Sequence, residues 1–156
     1  ESSAASDVYK RQLYAIQTTA STTEGAQYVY CKKLVKNETG ERPLYTGYHS
    51  TVSAFYYGTL IVGDQFDGNF DGYSALDTNI PLSSLKEPTA FDSPTTFAVA
   101  SVIPGWTAAL QLMRAGERWM LYIPWQSAYG SSGNNDGTIP GYTALTFDLL
   151  LERIVE

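Results

Sequence analysis

The stretch VIPGWTAALQLMRAGERWMLYIP, Val102 to Pro124, carries two patterns back to back. Trp106, Ala109, Leu110 and Met113 stand at i, i+3, i+4 and i+7, one apolar stripe on a short helix. Gly116 follows as a stop. From Arg118 the period drops to two. Trp119, Leu121 and Ile123 face one way as the buried set, and Arg118, Met120 and Tyr122 face outward. The helix entrance is unusual. Helices usually begin with Ser, Thr, Asp or Asn, but here a proline and a glycine precede the bulkiest side chain, Trp106.

The segments around it read as strands. YVYCKKLVK, Tyr28 to Lys36, has strand composition and ends at the turn-like NETGERP. In TVSAFYYGTLI, Thr51 to Ile61, Val52, Ala54, Tyr56 and Leu60 share one face. TTFAV, Thr95 to Val99, is a short strand. YTALTFDLLLERI, Tyr142 to Ile154, places Leu145, Phe147, Leu149 and Leu151 on one apolar face. Residues 68–94 are dense in Gly, Pro, Ser, Asp and Asn and read as a long loop with one helical turn. Several strands and a single amphipathic helix give an α+β domain, with antiparallel strands covering that helix.

With 156 residues, 44% of them hydrophobic, the chain suits one domain with a real core. A net charge of −6 argues against a nucleic-acid surface. No apolar run is long enough to span a membrane. A single cysteine, Cys31, excludes an internal disulfide and a multi-cysteine zinc site, and reads as a buried strand residue. His49 is the only histidine, which argues against imidazole-rich metal sites and nucleophile–histidine triads. SSAASDVYKRQ, Ser2 to Gln12, resembles a translated sequencing adaptor, so residues 1–27 are expected to be a non-native or flexible segment, with the native N-terminus missing. The domain is then expected over 28–156.

VIPGW, ALQLMRAGERWMLYIP, AYG, IP and LTFDLLLERI follow one another in the order of an FKBP-type peptidyl-prolyl cis-trans isomerase, with YYGTL and QFD upstream. The pattern is most similar to the bacterial branch resembling macrophage infectivity potentiators, and it runs from about Tyr28 to the C-terminus. The resemblance implies a curved antiparallel sheet wrapped over one short helix, with a substrate pocket between them. It implies Trp106 as the pocket floor and Tyr56, Phe66, Phe97, Val102, Ile103, Tyr129, Ile139 and Phe147 as walls. Asp67 matches the polar residue beside the twisted carbonyl. Asp67, Tyr129 and the backbone N–H of Ile103 are the expected catalytic set.

The resemblance further implies X–Pro-containing protein clients, macrolide inhibitors, no cofactor and no metal, and a periplasmic or envelope location. A non-catalytic chaperone module that binds prolyl peptides on the same fold is the alternative. The residue types suit isomerisation on their own account. Rotation about X–Pro faces a barrier of about 18–20 kcal/mol from amide resonance, and no group has to be attacked or deprotonated. An aromatic pocket with a few fixed polar groups serves that chemistry better than a nucleophile would.

Three features invite other readings. DGNFDG, Asp67 to Gly72, matches the first half of a calcium loop, but its twelfth position is Thr78 instead of Glu, so a Gly/Asp-rich turn is the better reading. Asn37-Glu38-Thr39 is a glycosylation sequon by pattern alone. The loop between Phe66 and Phe97 is longer than the family's usual connection, and is expected to flank the pocket. Ser101 stands where the family often has an acid or amide, and IPGY and SSGNNDG are variants of this chain.

Overall fold

The computed structural model describes residues 12–20 and 23–155. All but the last residue of the adaptor-like stretch lies outside the described residues. The chain folds as β1 (Tyr14–Gln17), β2 (Tyr28–Val35), β3 (Thr51–Leu60), β4 (Gln65–Gly68), β5 (Thr95–Ala98), α1 (Pro104–Leu110), β6 (Arg118–Ile123) and β7 (Leu145–Val155). These strands form one antiparallel sheet in the order β1-β2-β6-β7-β3-β4. Residues 51–54 of β3 pair with β5, and residues 57–59 of the same strand pair with β4. β4 and β5 are therefore two pieces of one edge strand, interrupted by residues 69–94.

Alternation along the strands gives the sheet two different faces. Val29, Cys31, Val52, Ala54, Trp119, Leu121, Ile123, Leu145, Phe147, Leu149 and Leu151 are buried with Trp106, Ala109, Leu110 and Met113 of the helix region in one core. Gly105 explains the odd helix entrance in part. A Cβ at that position would lie 2.7 Å from Ile123 Cγ2, so glycine lets α1 settle directly on β6. Pro104 occupies the first helical turn, where its missing N–H costs nothing. The chain turns at Gly116, whose φ of +93 favours glycine and whose N–H donates to Leu151 O at 2.7 Å.

The other face departs from the sequence reading. Arg118 and Met120, expected outward, are 1% and 0% exposed. The insertion covers them. Tyr73 is buried with Leu34 and Met120, and Ile80, Leu82 and Leu85 pack around that cluster. Arg118 Nε donates to Asp148 Oδ1 at 2.8 Å, and Nη2 to Asp148 Oδ2 at 2.7 Å, a bidentate pair. The Tyr73 N–H donates to Asp148 Oδ2 at 3.0 Å, and Arg118 Nη1 reaches Lys86 O, so both ions hold the insertion. Burial alone would lower the Arg118 pKa, but Asp148, Glu87 and Tyr73 together outweigh it and the value rises.

The bulk of the 69–94 insertion thus lies across the sheet from the helix, and does not wall the helix side. Among the described residues it contains turns and no helix. A second difference is at the N-terminal side. Within the stretch expected to be non-native or flexible, Tyr14–Gln17 forms β1, paired with β2 from Tyr14↔Cys31 to Gln17↔Tyr28. Tyr14 and Ile16 pack on the main core, which supplies the reason the segment is ordered there.

Candidate functional site

Between α1 and the curled sheet lies a cavity of about 300 Å³, lined by Tyr56, Phe66, Asp67, Phe97, Ser101, Val102, Ile103, Trp106, Tyr129 and Phe147. That size holds one ring-sized group with its neighbours. Trp106, carried by the first turn of α1, meets three rings edge-on. Tyr56 is 5.4 Å away at 83°, Phe97 5.0 Å at 69°, and Phe147 5.1 Å at 83°. Phe66 reaches Phe147 at 5.5 Å and 83°. These perpendicular contacts fix each ring by its neighbours. They also need a gap in the strand between them. A Cβ on Gly58 would stand 2.7 Å from the Phe147 ring and 2.8 Å from Phe66. Gly58 in β3 is therefore a steric requirement of the aromatic wall.

The polar side of the cavity is small. The Asp67 carboxylate stands close enough to the Tyr56 hydroxyl to raise its pKa, and its Oδ1 accepts the Gly68 N–H at 2.8 Å. Burial, and then Asp67, push the Tyr56 pKa well up. Tyr129, 38% exposed, shifts the same way, from burial first and then from the charges of Asp67 and Asp136. Both hydroxyls therefore remain donors at neutral pH. Ile103 caps α1, its carbonyl accepting the N–H groups of Trp106 at 2.9 Å and Thr107 at 3.1 Å.

Asn69 holds the interrupted edge together. Its Oδ1 accepts the Tyr56 N–H at 2.8 Å, and its Nδ2 donates to Ala54 O and Thr95 Oγ1, both at 3.0 Å. An amide side chain thereby bridges the gap between β4 and β5, the strands that present Phe66, Asp67 and Phe97. The same bonds use up the amide that the calcium-loop pattern would have required. Among the described residues, no group of three or more His, Cys, Asp or Glu is placed to hold a metal ion.

Nine of the ten expected substrate-binding residues line this cavity. Ile139 does not. It is 2% exposed within the main core, in the same cluster as Trp106 and Phe147, and its N–H donates to Asn134 Oδ1 at 2.8 Å. Ser101, noted only as a departure from the family pattern, does line the cavity. His49 lies away from it, with φ +62 and its carbonyl accepting the Leu44 N–H. Asn37 of the sequon donates to Ala115 O at 2.6 Å and accepts from Thr39 Oγ1 at 3.0 Å, a structural bracket. Asn69 was missed by sequence reasoning, because no periodicity marks a side chain that substitutes for backbone.

The comparisons with known proteins agree with this geometry. Residues 46–152 match the family pattern for FKBP-type peptidyl-prolyl cis-trans isomerases. The chain is 52% identical over 76 residues to a macrophage infectivity potentiator from Trypanosoma cruzi, covering 45% of this chain and 38% of that protein. It is 34% identical over 134 residues to the FKBP-type isomerase FkpA of Aeromonas hydrophila, covering 86% of this chain and 40% of that one. The chain thus spans less than half the length of either relative. Among solved structures, a peptidyl-prolyl cis-trans isomerase of Pseudomonas syringae superposes with a TM-score of 0.61 at 28% identity, over 89% of this chain and 81% of that one. FkpA of Escherichia coli gives 0.59 at 29% identity, over 88% and 51%.

Proposed function

The chain belongs to the FKBP-type peptidyl-prolyl cis-trans isomerase family, and from that premise we propose that it accelerates rotation about X–Pro bonds in folding proteins. The observation that carries the reading is the cavity floored by Trp106 and boxed by Tyr56, Phe97 and Phe147. The pyrrolidine ring of the substrate rests on the indole. Uncatalysed, the bond takes tens to hundreds of seconds to turn. The twisted amide is less conjugated than the planar one, so its carbonyl is more ketone-like and less polar, and its nitrogen more pyramidal.

A site that holds the twisted form more tightly lowers the barrier, and about 1.4 kcal/mol of preference gives tenfold in rate. The N–H of Ile103 and the hydroxyl of Tyr129 hold the flanking carbonyls, and Asp67 orients the Tyr56 hydroxyl beside the rotating group. These donors act in a largely apolar surround, where fixed dipoles count for more than in water. No step requires proton transfer.

The same reading takes the clients to be unfolded or partly folded chains with X–Pro bonds, and macrolides that mimic them to be inhibitors. It places the protein in the cell envelope, supported by a relative named outer membrane protein MIP, from Legionella longbeachae. Among the described residues no helix is long and apolar enough to cross a membrane. The domain starts at β1 instead of Tyr28, since Tyr14 and Ile16 pack on its core. A protease-coupled assay on a short X–Pro peptide tests the activity. Acceleration over the uncatalysed rate is expected. Tight binding of a macrolide with no acceleration would instead identify a non-catalytic prolyl-binding module.

A further inference from the structure

β1, within the segment expected to be flexible, ends against the loop that carries Tyr129. Thr18 follows β1 directly, is 7% exposed, and its hydroxyl lies 2.8 Å from Ser127 Oγ, a buried bond across 109 residues of sequence. Ser127 is fully buried. It closes the short 3-10 turn Trp125–Ser127, two residues before Tyr129. The backbone around it is tightly folded. Ala128 N and Gly130 N both donate to Trp125 O, at 3.1 and 2.9 Å. A rotation of this turn therefore carries Tyr129 with it. Thr18 is itself held, its N–H donating to Gln27 O at 2.8 Å and its Oγ1 accepting the Ala20 N–H at 3.3 Å. A second tie reinforces the first on the same loop, Gln126 Nε2 donating to Glu24 at 2.8 Å.

Tyr129 needs such support. It lines the cavity while 38% exposed, so few contacts of its own side chain fix its hydroxyl. The other cavity rings are held by each other. We infer that Thr18, acting through Ser127, is a positioning residue that sets the Tyr129 hydroxyl at the cavity rim, and that β1 with Thr18 is a working part of the site. The inference rests on the isomerase reading above for its catalytic consequence, but the positioning itself is a property of the fold.

Thr18→Val removes the hydroxyl and keeps the shape, and Thr18→Ser restores the hydroxyl. Turnover per folded molecule should fall about fivefold to tenfold in Thr18→Val, the scale of one hydrogen bond's effect on geometry, and recover in Thr18→Ser. In a Tyr129→Phe background the Thr18→Val effect should vanish, because its target is gone. Leu34→Ala, on the far face of the sheet, should lose stability and keep turnover per folded molecule. An unchanged Thr18→Val rate, or an equal loss with and without the Tyr129 hydroxyl, would overturn the inference.

Fluorotyrosine placed at position 129 gives a readout free of activity. Its fluorine resonance should shift or broaden in Thr18→Val and return in Thr18→Ser, whereas an unmoved resonance would contradict the positioning role. If the parent shows no turnover, the isomerase reading fails, and the fluorine result still decides whether Thr18 positions Tyr129.

Discussion

The two faces of one sheet are built from alternate residues of the same strands, yet they end in opposite ways. On the helix side, Phe147 and Leu149 of β7 lie under Trp106, and the rings stop short of filling the space. On the far side, the intervening Asp148 is fully buried against Arg118, and the insertion packs over the pair, the Tyr73 N–H donating to Asp148. Phe70 and Tyr73 stack on the guanidinium, 5.2 and 5.5 Å from the ring centres. The far face carries a costly polar pair that is fully satisfied. The near face carries aromatic surface that is deliberately left without a partner. Stability and ligand binding are thereby assigned to different sides of the same strands, and substitutions should separate them.

The largest effect should come from Trp106→Ala, which damages both. It removes a buried indole, costing about 3–5 kcal/mol in stability, and it removes the cavity floor. Circular dichroism and denaturant unfolding measure the first, and macrolide binding to the remaining folded protein the second. Folded Trp106→Ala that binds as tightly as the parent would break the assignment of the near face.

Next comes Asp148→Asn, which strips the charge from the far face and leaves Arg118 buried without its counter-ion. A loss of about 3–5 kcal/mol is expected, with binding per folded molecule unchanged. A large fall in binding alongside it would show that the two faces are coupled through β7, and the separation would fail.

Much of the near face was legible in the sequence, and for a definite reason. Trp106 and Phe147 fall on faces that helical and strand periodicity dictate, while their place in the cavity, and that of Tyr129, came from the resemblance carried by VIPGW, LTFD and AYG. The far face was not legible. Arg118 and Asp148 occupy alternate, polar positions that read as solvent-facing, and only the insertion makes them interior. The insertion itself has no periodicity to reveal where it packs, since its apolar contacts come from scattered residues such as Tyr73, Ile80 and Leu85. β1 escaped notice because four residues next to a Thr/Ser-rich stretch give too short a pattern. Ile139, expected at the wall from motif order alone, packs in the same buried cluster as Trp106 and Phe147 without lining the cavity.

A smaller and sharper effect is expected from Asp67→Asn, which keeps the shape beside Tyr56 and removes the charge. Turnover should fall by roughly threefold to tenfold, the scale of one charge-assisted hydrogen bond, with little change in unfolding. Phe147→Ala should cost more in both, through the wall and the core together. The smallest effect concerns pH and stability. Tyr56 and Tyr129 have native pKa values above the ordinary tyrosine value. Their contribution is fully present below about pH 10 and is lost as pH rises through the raised values. Unfolding free energy should therefore show no tyrosine-linked fall at mildly alkaline pH, and should decline only above that range.

The most direct measurement is the pH profile of turnover per folded molecule on an X–Pro peptide, between pH 6 and 8. Both hydroxyls at the cavity remain protonated there, because burial and the Asp67 charge raise their pKa values, and His49 lies outside the cavity. Catalysis by holding a twisted amide should give a nearly flat profile. A clear bell over that range, of the kind an acid–base pair produces, would contradict the account and point to proton transfer.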